Sequence, residues 1–391
     1  MTKEGKKIIY VIYLTTECNY HCTYCYENFE RKQAFNKESL YKVLDFIFSN
    51  DSGKRISIEF MGGEPLLKFD LINAAVLYIE KMYADRNVNY HMTTNGTFLT
   101  DEIISFLKEK NFSLRLSFDG IREAHCINRK SKDGKTDYCL IFCNINKIRD
   151  AGMQYSIRMT ITQSTIPFLF DSVVFLHENR LNNICMIFDV NASLDELSYK
   201  NFQLQAEKIT NYYLEELDKG NKFSVDQIDG KFINMLADFG NCFGMCDAGI
   251  NNFKIMPNGD IYPCGFVIGN PDFIIGNVNT SVDVNLAKKI AISLYDSEDK
   301  KCRSCKIKYF CHGMKCGYMN YLTTGKINVP SETTCVLEKT FFPEVVRVLE
   351  HIRGQGNDSI EKVFGKYIRY LVSQGLKLSE TGKEIYKIIS D

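Results

Sequence analysis

The stretch Thr16-Glu-Cys-Asn-Tyr-His-Cys-Thr-Tyr-Cys-Tyr-Glu27 follows an apolar run of strand length, Ile8 to Leu14. Its cysteines Cys18, Cys22 and Cys25 have the spacing C-x3-C-x2-C on the loop that leaves this first predicted strand. Three thiolates can hold three irons of a 4Fe–4S cluster and leave the fourth iron open to a substrate or cofactor. The stretch therefore predicts a three-cysteine iron–sulfur site at the end of the first strand.

Zinc knuckles and disulfide clusters also use closely spaced cysteines. A structural zinc site normally takes four protein ligands. No fourth cysteine or histidine stands at zinc-finger spacing from this triplet. The iron–sulfur interpretation is therefore favoured here.

The composition indicates a reducing compartment. The chain has 391 residues and 15 cysteines, and its N-terminus has no cleavable secretion signal. No apolar run approaches the roughly 20 residues that span a bilayer. The 48 basic and 48 acidic residues give a net charge of zero, so no overall field favours nucleic acid or membrane. We expect a cytoplasmic protein with neither partner, whose cysteines serve metal clusters.

Strand-like and helix-like segments alternate through the first half of the chain, which predicts an α/β fold with a parallel sheet. The predicted strands are Ile8–Leu14, Ile56–Met61, Val88–Thr94, Ser113–Phe118, Gln154–Ile161 and Ile184–Val190. The predicted helices are Lys37–Ser49, Lys68–Asp85, Asp101–Lys110, Asp137–Ala151 and Pro167–Glu178. Six units are too few for a closed eight-stranded barrel, so we expect a partial, TIM-like (β/α)6 barrel.

Candidate ligand-binding motifs follow three of these strands, at the end of the sheet where such folds bind ligands. Met61-Gly-Gly-Glu-Pro65 follows the second strand, Asn95 follows the third, and Ser117 ends the fourth with Arg129 further on. Glycines allow close backbone approach, the carboxylate of Glu64 can receive an ammonium group, and arginine binds carboxylates through two hydrogen bonds. Each motif alone is weak evidence, but together they predict one composite site.

The first 190 residues or so resemble the radical S-adenosylmethionine (SAM) superfamily, whose signature C-x3-C-x-aromatic-C is matched by Cys18, Cys22, Tyr24 and Cys25. The resemblance implies that the methionine part of SAM chelates the open iron. By this resemblance Gly62, Gly63 and Glu64 would bind the amino group, Ser117 and Arg129 the carboxylate, Asn95 would lie near the ribose, and Tyr24 near the adenine. Cys126 departs from close relatives, which often carry aspartate at that position.

The second half contains a frame of eight cysteines. They are Cys242, Cys246, Cys264, Cys302, Cys305, Cys311, Cys316 and Cys335. Eight thiols suit two four-ligand sites, and their spacing alone does not separate iron–sulfur from zinc.

The pattern from Cys246 to Cys335 resembles the SPASM extension, a cysteine-rich module that carries two clusters at the C-terminus of many peptide-modifying radical SAM enzymes. Four residues separate Cys311 from Cys316 where three are usual. The resemblance implies a first auxiliary 4Fe–4S cluster on Cys242, Cys246, Cys264 and Cys316. It implies a second auxiliary 4Fe–4S cluster on Cys302, Cys305, Cys311 and Cys335.

Four segments follow from this division of the sequence. We expect a radical SAM partial barrel over 1–194, a bridging helix and loop over 195–240, a SPASM domain over 241–340, and a helical cap over 341–391.

The combined resemblance implies that an electron cleaves SAM to methionine and a 5′-deoxyadenosyl radical, which abstracts hydrogen from a peptide. Thioether or carbon–carbon crosslinking of a ribosomally made precursor peptide is the first expectation. Formylglycine formation by a sulfatase-maturating enzyme is the alternative, although Gly265 stands where those enzymes carry an aspartate that takes the substrate proton. Two alternatives come from other classes of protein. An RNA-modifying radical SAM enzyme would need a basic groove, and an iron–sulfur electron carrier would not need the SAM-binding motifs.

The implied partners are a peptide or protein substrate and an electron donor such as flavodoxin or ferredoxin. Only seven residues precede the first strand, so we expect recognition of a leader peptide by a separate protein or by the tail, or no leader at all.

Overall fold

The computed structural model describes residues 7–27, 29, 31–50, 55–238, 247–283, 285–286, 300–308, 310–311, 316–373 and 375–390. Cys242 and Cys246 lie outside these residues.

The described residues form strands and helices that alternate through the first half of the chain. The strands are β1 (Ile8–Thr15), β2 (Ile56–Gly62), β3 (Val88–Thr94), β4 (Ser113–Ser117), β5 (Gln154–Ile161), β6 (Asn183–Phe188), β7 (Ser224–Val225), β8 (Asn252–Ile255), β9 (Asp260–Tyr262) and β10 (Gly276–Asn277). The helices are α1 (Lys37–Asn50), α2 (Phe69–Met82), α3 (Asp101–Glu109), α4 (Arg122–Asn128), α5 (Tyr138–Asp150), α6 (Leu169–Glu178), α7 (Glu196–Asp218), α8 (Phe232–Leu236), α9 (Lys300–Arg303), α10 (Gly317–Thr324), α11 (Glu332–Gly354), α12 (Asn357–Ser373) and α13 (Glu380–Ser390).

All six predicted strands and all five predicted helices of the first half form, with ends that differ by three residues at most. Three features differ from the prediction. The short helix α4 was not predicted, and the bridging segment contains β7 and α8 after its long helix. Helix α11 begins at Glu332, nine residues before the predicted helical cap over 341–391.

The chain divides into two compact units. The first is built from described residues within 1–118, 125–158 and 246–292, and the second from those within 119–124, 159–245 and 293–391. These units come from discontinuous segments of the chain, and the four-segment domain organisation stays a prediction.

In the first unit the strands lie in the order β10-β9-β8-β1-β2-β3-β4-β5. Strands β8, β1, β2, β3, β4 and β5 pair in parallel, and β9 and β10 pair antiparallel at one edge. The sheet is therefore dominated by parallel pairing, and the hairpin β8–β9 extends it beyond β1.

The central strands of this sheet carry an apolar face and a polar face. In β2 the side chains of Ile56, Ile58 and Phe60 are fully buried, and they alternate with Ser57 and Glu59. The polar set continues in register across β3 and β4 with His91, Thr93, Arg115 and Ser117. Because successive side chains of a strand point to opposite faces, this sheet presents a row of polar groups, of which Ser57 and Glu59 are buried, on the face opposite its apolar core.

In the second unit β6 pairs in parallel with β7, and the remaining described elements are mainly helices. Helix α7 packs against α6 and α11, while α12 and α13 pack against each other and against α8. Among the described residues no helix is long and apolar enough to cross a membrane.

Candidate functional site

The loop that carries Cys18, Cys22 and Cys25 is fastened by backbone hydrogen bonds on three sides. The amide of Thr16 donates to the carbonyl of Gln33 at 2.8 Å, and the amide of Glu64 donates to the carbonyl of Glu17 at 2.8 Å. On the third side the loop binds the segment after α4, including a bond from the amide of His21 to the carbonyl of Lys130 at 2.8 Å. The loop conformation is thus fixed by its neighbours in the first unit.

Gly62 and Gly63 allow β2 to approach this loop. Gly62 has φ of +138°, and a Cβ there would lie 2.1 Å from the carbonyl oxygen of Thr15. A Cβ on Gly63 would lie 2.3 Å from the carbonyl oxygen of Glu17. Any side chain at either position would collide with backbone. The structure gives these glycines a role that the sequence did not suggest, which is to bring two loops together.

Glu64 holds the ends of β2 and β3 together. Its carboxylate accepts hydrogen bonds from the Thr94 hydroxyl at 2.7 Å, the Asn95 amide at 2.8 Å and the Leu66 amide at 3.1 Å. The side chain is only 1% exposed, and this burial raises its pKa to about 7, while the three hydrogen bonds oppose the shift. A carboxylate has about four acceptor sites, so capacity for one further donor remains.

Asn95 lies against the first cysteine. Its side-chain nitrogen is 4.0 Å from the sulfur of Cys18 and 2.8 Å from the side-chain oxygen of Asn19. Thr97 completes the network, because its hydroxyl donates to Asn95 and accepts from Asn19. Sequence reasoning missed Asn19 and Thr97, although the Asn-x-Thr spacing around Gly96 was a usable signal for a local hydrogen-bonded turn.

Arg129 lies on the opposite side of the loop. It is buried, its guanidinium carbon lies 5.3 Å from the ring centroid of Tyr24, and its charge acts on the thiol of Cys25. Ser117 ends β4 and pairs in register with Arg158. The structure therefore brings Tyr24 and Arg129 together beside the cysteine loop and places Ser117 at the predicted strand end.

The three thiols suit an iron cluster as a donor set. The thiols of Cys22 and Cys25 interact electrostatically with that of Cys18, and Cys22 likewise with Cys25. The amide of Tyr20 donates to the sulfur of Cys18 at 3.3 Å. Burial raises the pKa of Cys18 to about 12. Metal ligation needs the thiolate, and bound iron would supply the positive charge that this buried position otherwise lacks.

A second group of polar residues lies beside the loop. The hydroxyl of Tyr13 donates to Glu27 at 3.1 Å. Burial raises the pKa of Glu27 to about 7, and the Tyr13 hydroxyl and the charge of Arg158 oppose the shift. A Cβ on Gly265 would lie 2.9 Å from the Tyr13 hydroxyl. The Tyr13 hydroxyl therefore occupies space that a side chain after Cys264 would need.

Four of the predicted auxiliary ligands line one cavity in the second unit. They are Cys302, Cys305, Cys311 and Cys335. Glu338 lines the same cavity, and its Oε2 atom is buried with no hydrogen-bond partner among the described residues. Four thiols around one cavity, together with an unsatisfied buried acceptor, fit a cationic metal group as occupant.

The other predicted set is only partly described. Cys264 lies in the first unit and follows β9, and Cys316 lies in the second unit and directly precedes α10. Cys242 and Cys246 lie outside the described residues, so this ligand set stays a prediction. Among the described residues no group of three or more His, Cys, Asp or Glu has the geometry to hold a single metal ion.

Residues 12–165 match the Radical SAM superfamily. The chain carries a radical SAM domain. This match confirms the prediction of a radical SAM enzyme, and the superfamily implies a 4Fe–4S cluster and SAM as cofactors.

Several distant curated relatives match this chain. An uncharacterized protein of Methanocaldococcus jannaschii is 29% identical over 166 residues, which span 42% of this chain and 57% of that protein. A serine-type anaerobic sulfatase-maturating enzyme of Bacteroides thetaiotaomicron is 25% identical over 76% of this chain and 79% of its own length. The radical SAM cyclopropyl synthase TigE of Paramaledivibacter caminithermalis is 24% identical over 81% of this chain and 69% of its own length.

Solved structures share the fold of the radical SAM chain. Native anSMEcpe with bound AdoMet and Kp18Cys peptide has a TM-score of 0.76 at 21% identity, covering 89% of this chain and 100% of that one. Streptococcus suis SuiB bound to precursor peptide SuiA has a TM-score of 0.60 at 18% identity, covering 84% and 76%. These similarities confirm the α/β partial-barrel fold.

Proposed function

We propose that this radical SAM enzyme is a peptide maturase that forms a thioether or carbon–carbon crosslink in a ribosomally made peptide. The proposal rests first on the cysteine loop. Its backbone is bonded directly to the Gly-Gly-Glu-Pro segment and to the segment of Arg129, so the predicted cluster ligands and SAM ligands lie around one loop.

Each group at this loop has a distinct part in the proposal. When bound, the cluster and SAM together supply a 5′-deoxyadenosyl radical that removes a hydrogen atom from the substrate. Cys18, Cys22 and Cys25 would hold the cluster, and Glu64 and Arg129 would bind the amino and carboxylate groups of the methionine part of SAM. The backbone hydrogen bonds of the loop would orient this assembly, and the protein must also keep water away from the radical.

A peptide substrate is supported by the relatives and by the fold. The chain is similar along most of its length to a sulfatase-maturating enzyme and to TigE, and the neighbours anSMEcpe and SuiB are described with bound peptides. The electron donor, flavodoxin or ferredoxin, and a separate leader-binding protein belong to the same proposal.

Gly265 favours crosslinking over formylglycine formation. In sulfatase maturases an aspartate at this position is expected to take the substrate proton. Here a Cβ would lie 2.9 Å from the hydroxyl of Tyr13, which is bonded to Glu27. An aspartate side chain here would have to displace the Tyr13 hydroxyl. Sulfatase maturation remains the second candidate because the sulfatase-maturating enzyme of Bacteroides thetaiotaomicron matches 338 residues at 25% identity.

Two auxiliary 4Fe–4S clusters complete the proposal. The second would be held by Cys302, Cys305, Cys311 and Cys335, which share one cavity. The first would use Cys242, Cys246, Cys264 and Cys316. An auxiliary cluster would accept the electron that the substrate radical loses when the crosslink forms.

SAM cleavage tests the radical site. Anaerobically reconstituted protein with dithionite and SAM should form 5′-deoxyadenosine, and Cys22→Ala should abolish it. Cys139→Ala is the matched control, because Cys139 is an exposed cysteine on α5, and it should retain activity. Continued 5′-deoxyadenosine formation by Cys22→Ala would overturn the cluster assignment.

The reaction is tested on peptides encoded beside the gene and on sulfatase-derived peptides. Crosslinking and serine oxidation both remove a pair of hydrogens, so mass alone does not separate them. An aldehyde-reactive hydrazide labels formylglycine only, and tandem mass spectrometry detects a crosslink as missing fragmentation between the joined residues. Hydrazide labelling of the product would favour the second candidate.

A further inference from the structure

The second unit contains a deeply buried ion pair that the radical chemistry does not use. The Nζ atom of Lys231 lies 2.7 Å from Oε1 of Glu338, and their side chains are 8% and 1% exposed. Removing two charges from water costs several kcal/mol per ion. Replacement of such pairs by apolar residues is often neutral or stabilising, so stability alone explains this pair poorly.

The two residues of this pair differ in their position beside the four-cysteine cavity. Glu338 lines the cavity together with the thiols, whereas Lys231 does not. The ammonium group lies 5.4 Å from the ring centroid of Phe310, the residue before Cys311. The carboxylate is therefore the nearer of the two charges to the cavity, and its Oε2 atom has no hydrogen-bond partner in the described part of the chain.

Positive charge borders the same cavity at Lys308 and Lys339, which are also lining residues. Lys339 is exposed and therefore screened by solvent, and Lys308 is half-buried. The buried Glu338 carboxylate lies in a medium of lower effective dielectric constant, where a charge acts more strongly than at the surface.

We propose that the carboxylate of Glu338, held in place by Lys231, lowers the reduction potential of the cluster that Cys302, Cys305, Cys311 and Cys335 would hold. The inference rests on the proposed second auxiliary cluster. One electron enters this cluster on reduction and no bond is formed or broken. The added negative charge is disfavoured next to the carboxylate and favoured next to a lysine.

Two substitutions should move the potential in opposite directions. Glu338→Gln keeps the size of the side chain and an oxygen acceptor for Lys231 but removes the negative charge, so the potential should rise. Lys308→Gln removes a positive charge from the same cavity, so the potential should fall. We expect Glu338→Gln to change the ratio of reduced to oxidised cluster by roughly tenfold at a fixed solution potential, or about 59 mV for one electron. A general loosening of the site would shift both variants in the same direction.

The measurement is a redox titration with dithionite, followed by electron paramagnetic resonance, on the full anaerobically reconstituted chain. All variants are made in a chain with Cys18, Cys22 and Cys25 changed to alanine, which removes the paramagnetic signal of the SAM cluster. The signal that is then lost in Cys305→Ala identifies the second auxiliary cluster. Glu350→Gln is the matched control, because Glu350 is exposed on the same helix α11, and its potential should equal that of the unsubstituted chain.

The outcomes separate this inference from the proposed function. If no signal depends on Cys305, the proposed auxiliary cluster is wrong. If the signal exists and Glu338→Gln leaves its potential unchanged, the role of Glu338 is wrong and the cluster stands. If Glu338→Gln loses the cluster, the double variant Lys231→Met/Glu338→Met decides: a raised potential supports the inference, and an unchanged one overturns it.

Discussion

At the scale of single residues, Gly63 links the fold to the site. There is no room for a methyl group at Gly63, because a Cβ would lie 2.3 Å from the carbonyl oxygen of Glu17 and 2.8 Å from the amide nitrogen of Cys18. These are backbone atoms of the cysteine loop, which cannot move aside as a flexible side chain would. The distance between β2 and the cluster ligands thus depends on a missing side chain.

Gly63→Ala should therefore both destabilise the protein and disturb the cluster site. We expect a loss of about 1 to 3 kcal/mol in the free energy of unfolding, the range of overpacked core positions, and loss of SAM cleavage. Gly354→Ala is the control, since a Cβ there meets nothing within 4 Å and should change stability by less than about 1 kcal/mol. Denaturant unfolding with iron analysis makes the comparison, and equal midpoints for Gly63→Ala and the parent would contradict the steric argument.

Asp229 gives a residue-scale prediction about pH. Burial raises its pKa to about 6, while the Ser224 hydroxyl and the charge of Lys366 oppose the shift. In the unfolded chain an aspartate has a pKa of about 3.9, so the folded state keeps its proton to higher pH. Its contribution to stability is therefore fully present below about pH 4 and is lost as the pH rises through about 6.

Asp229→Asn should remove this pH dependence. Relative to the parent, the variant should gain about 1 kcal/mol in the free energy of unfolding between pH 5 and pH 7. Asp358→Asn, at an exposed aspartate in the first turn of α12, should show the same difference from the parent at both pH values. Urea titrations at the two pH values test the prediction, and a constant difference for Asp229→Asn would show that its carboxyl is ionised throughout.

At the scale of elements, the start of α11 joins a helix cap to a predicted cluster ligand. The Ser331 hydroxyl accepts a hydrogen bond from the amide of Thr334 at 3.2 Å, and Cys335 lies in the first turns of the helix that begins here. The predicted helical cap over 341–391 covers only the later part of this helix. The start of the helix is polar, so a search for apolar periodicity does not detect it. It is defined by the Ser331 cap and by the position of Cys335.

Ser331→Ala should cost about 1 kcal/mol of stability, as is typical for loss of an N-cap, and should also lower the iron retained by the second auxiliary site. The matched control is Thr100→Ala, which removes the cap of α3, where the hydroxyl accepts from Ile103 at 3.3 Å. That variant should lose similar stability with full iron content. Equal iron content in the two variants would mean that the α11 cap does not position Cys335.

At the scale of the whole molecule, the sequence predicted those parts of the structure that depend on local pattern. The six strands followed from apolar runs of strand length, and the motifs at their ends followed from the rule that parallel strands present ligands at their carboxyl ends. Contacts between distant residues left no such signal. Lys231 and Glu338 are 107 positions apart, and Tyr13 meets Gly265 only because β8 and β9 extend the sheet beside β1.

We expect apolar burial and metal binding to stabilise different parts of the molecule. In the first unit β2 carries three fully buried apolar side chains, which need no metal to stay folded. In the second unit Cys305 and Cys311 belong to no helix or strand among the described residues. Phe310, the residue before Cys311, is contacted by the Asn234 amide on its carbonyl, by the ring of Phe342 and by Lys231 over its own ring. Metal binding should therefore contribute to the folding of the chain around these cysteines and of its supports.

Removal of iron should consequently raise hydrogen exchange unevenly. In chelator-treated protein we expect amides of α8 and of the first turns of α11 to lose at least about tenfold of their protection, because their anchor at the cysteine cavity is released. Amides of β2 should keep theirs, since burial of apolar side chains protects them. Peptide-resolved hydrogen exchange with mass spectrometry, on loaded and chelator-treated samples of the same chain, makes the comparison. Uniform loss that includes β2 would mean that the clusters stabilise the apolar sheet as well, whereas unchanged exchange in α8 and α11 would mean that the cavity folds without metal.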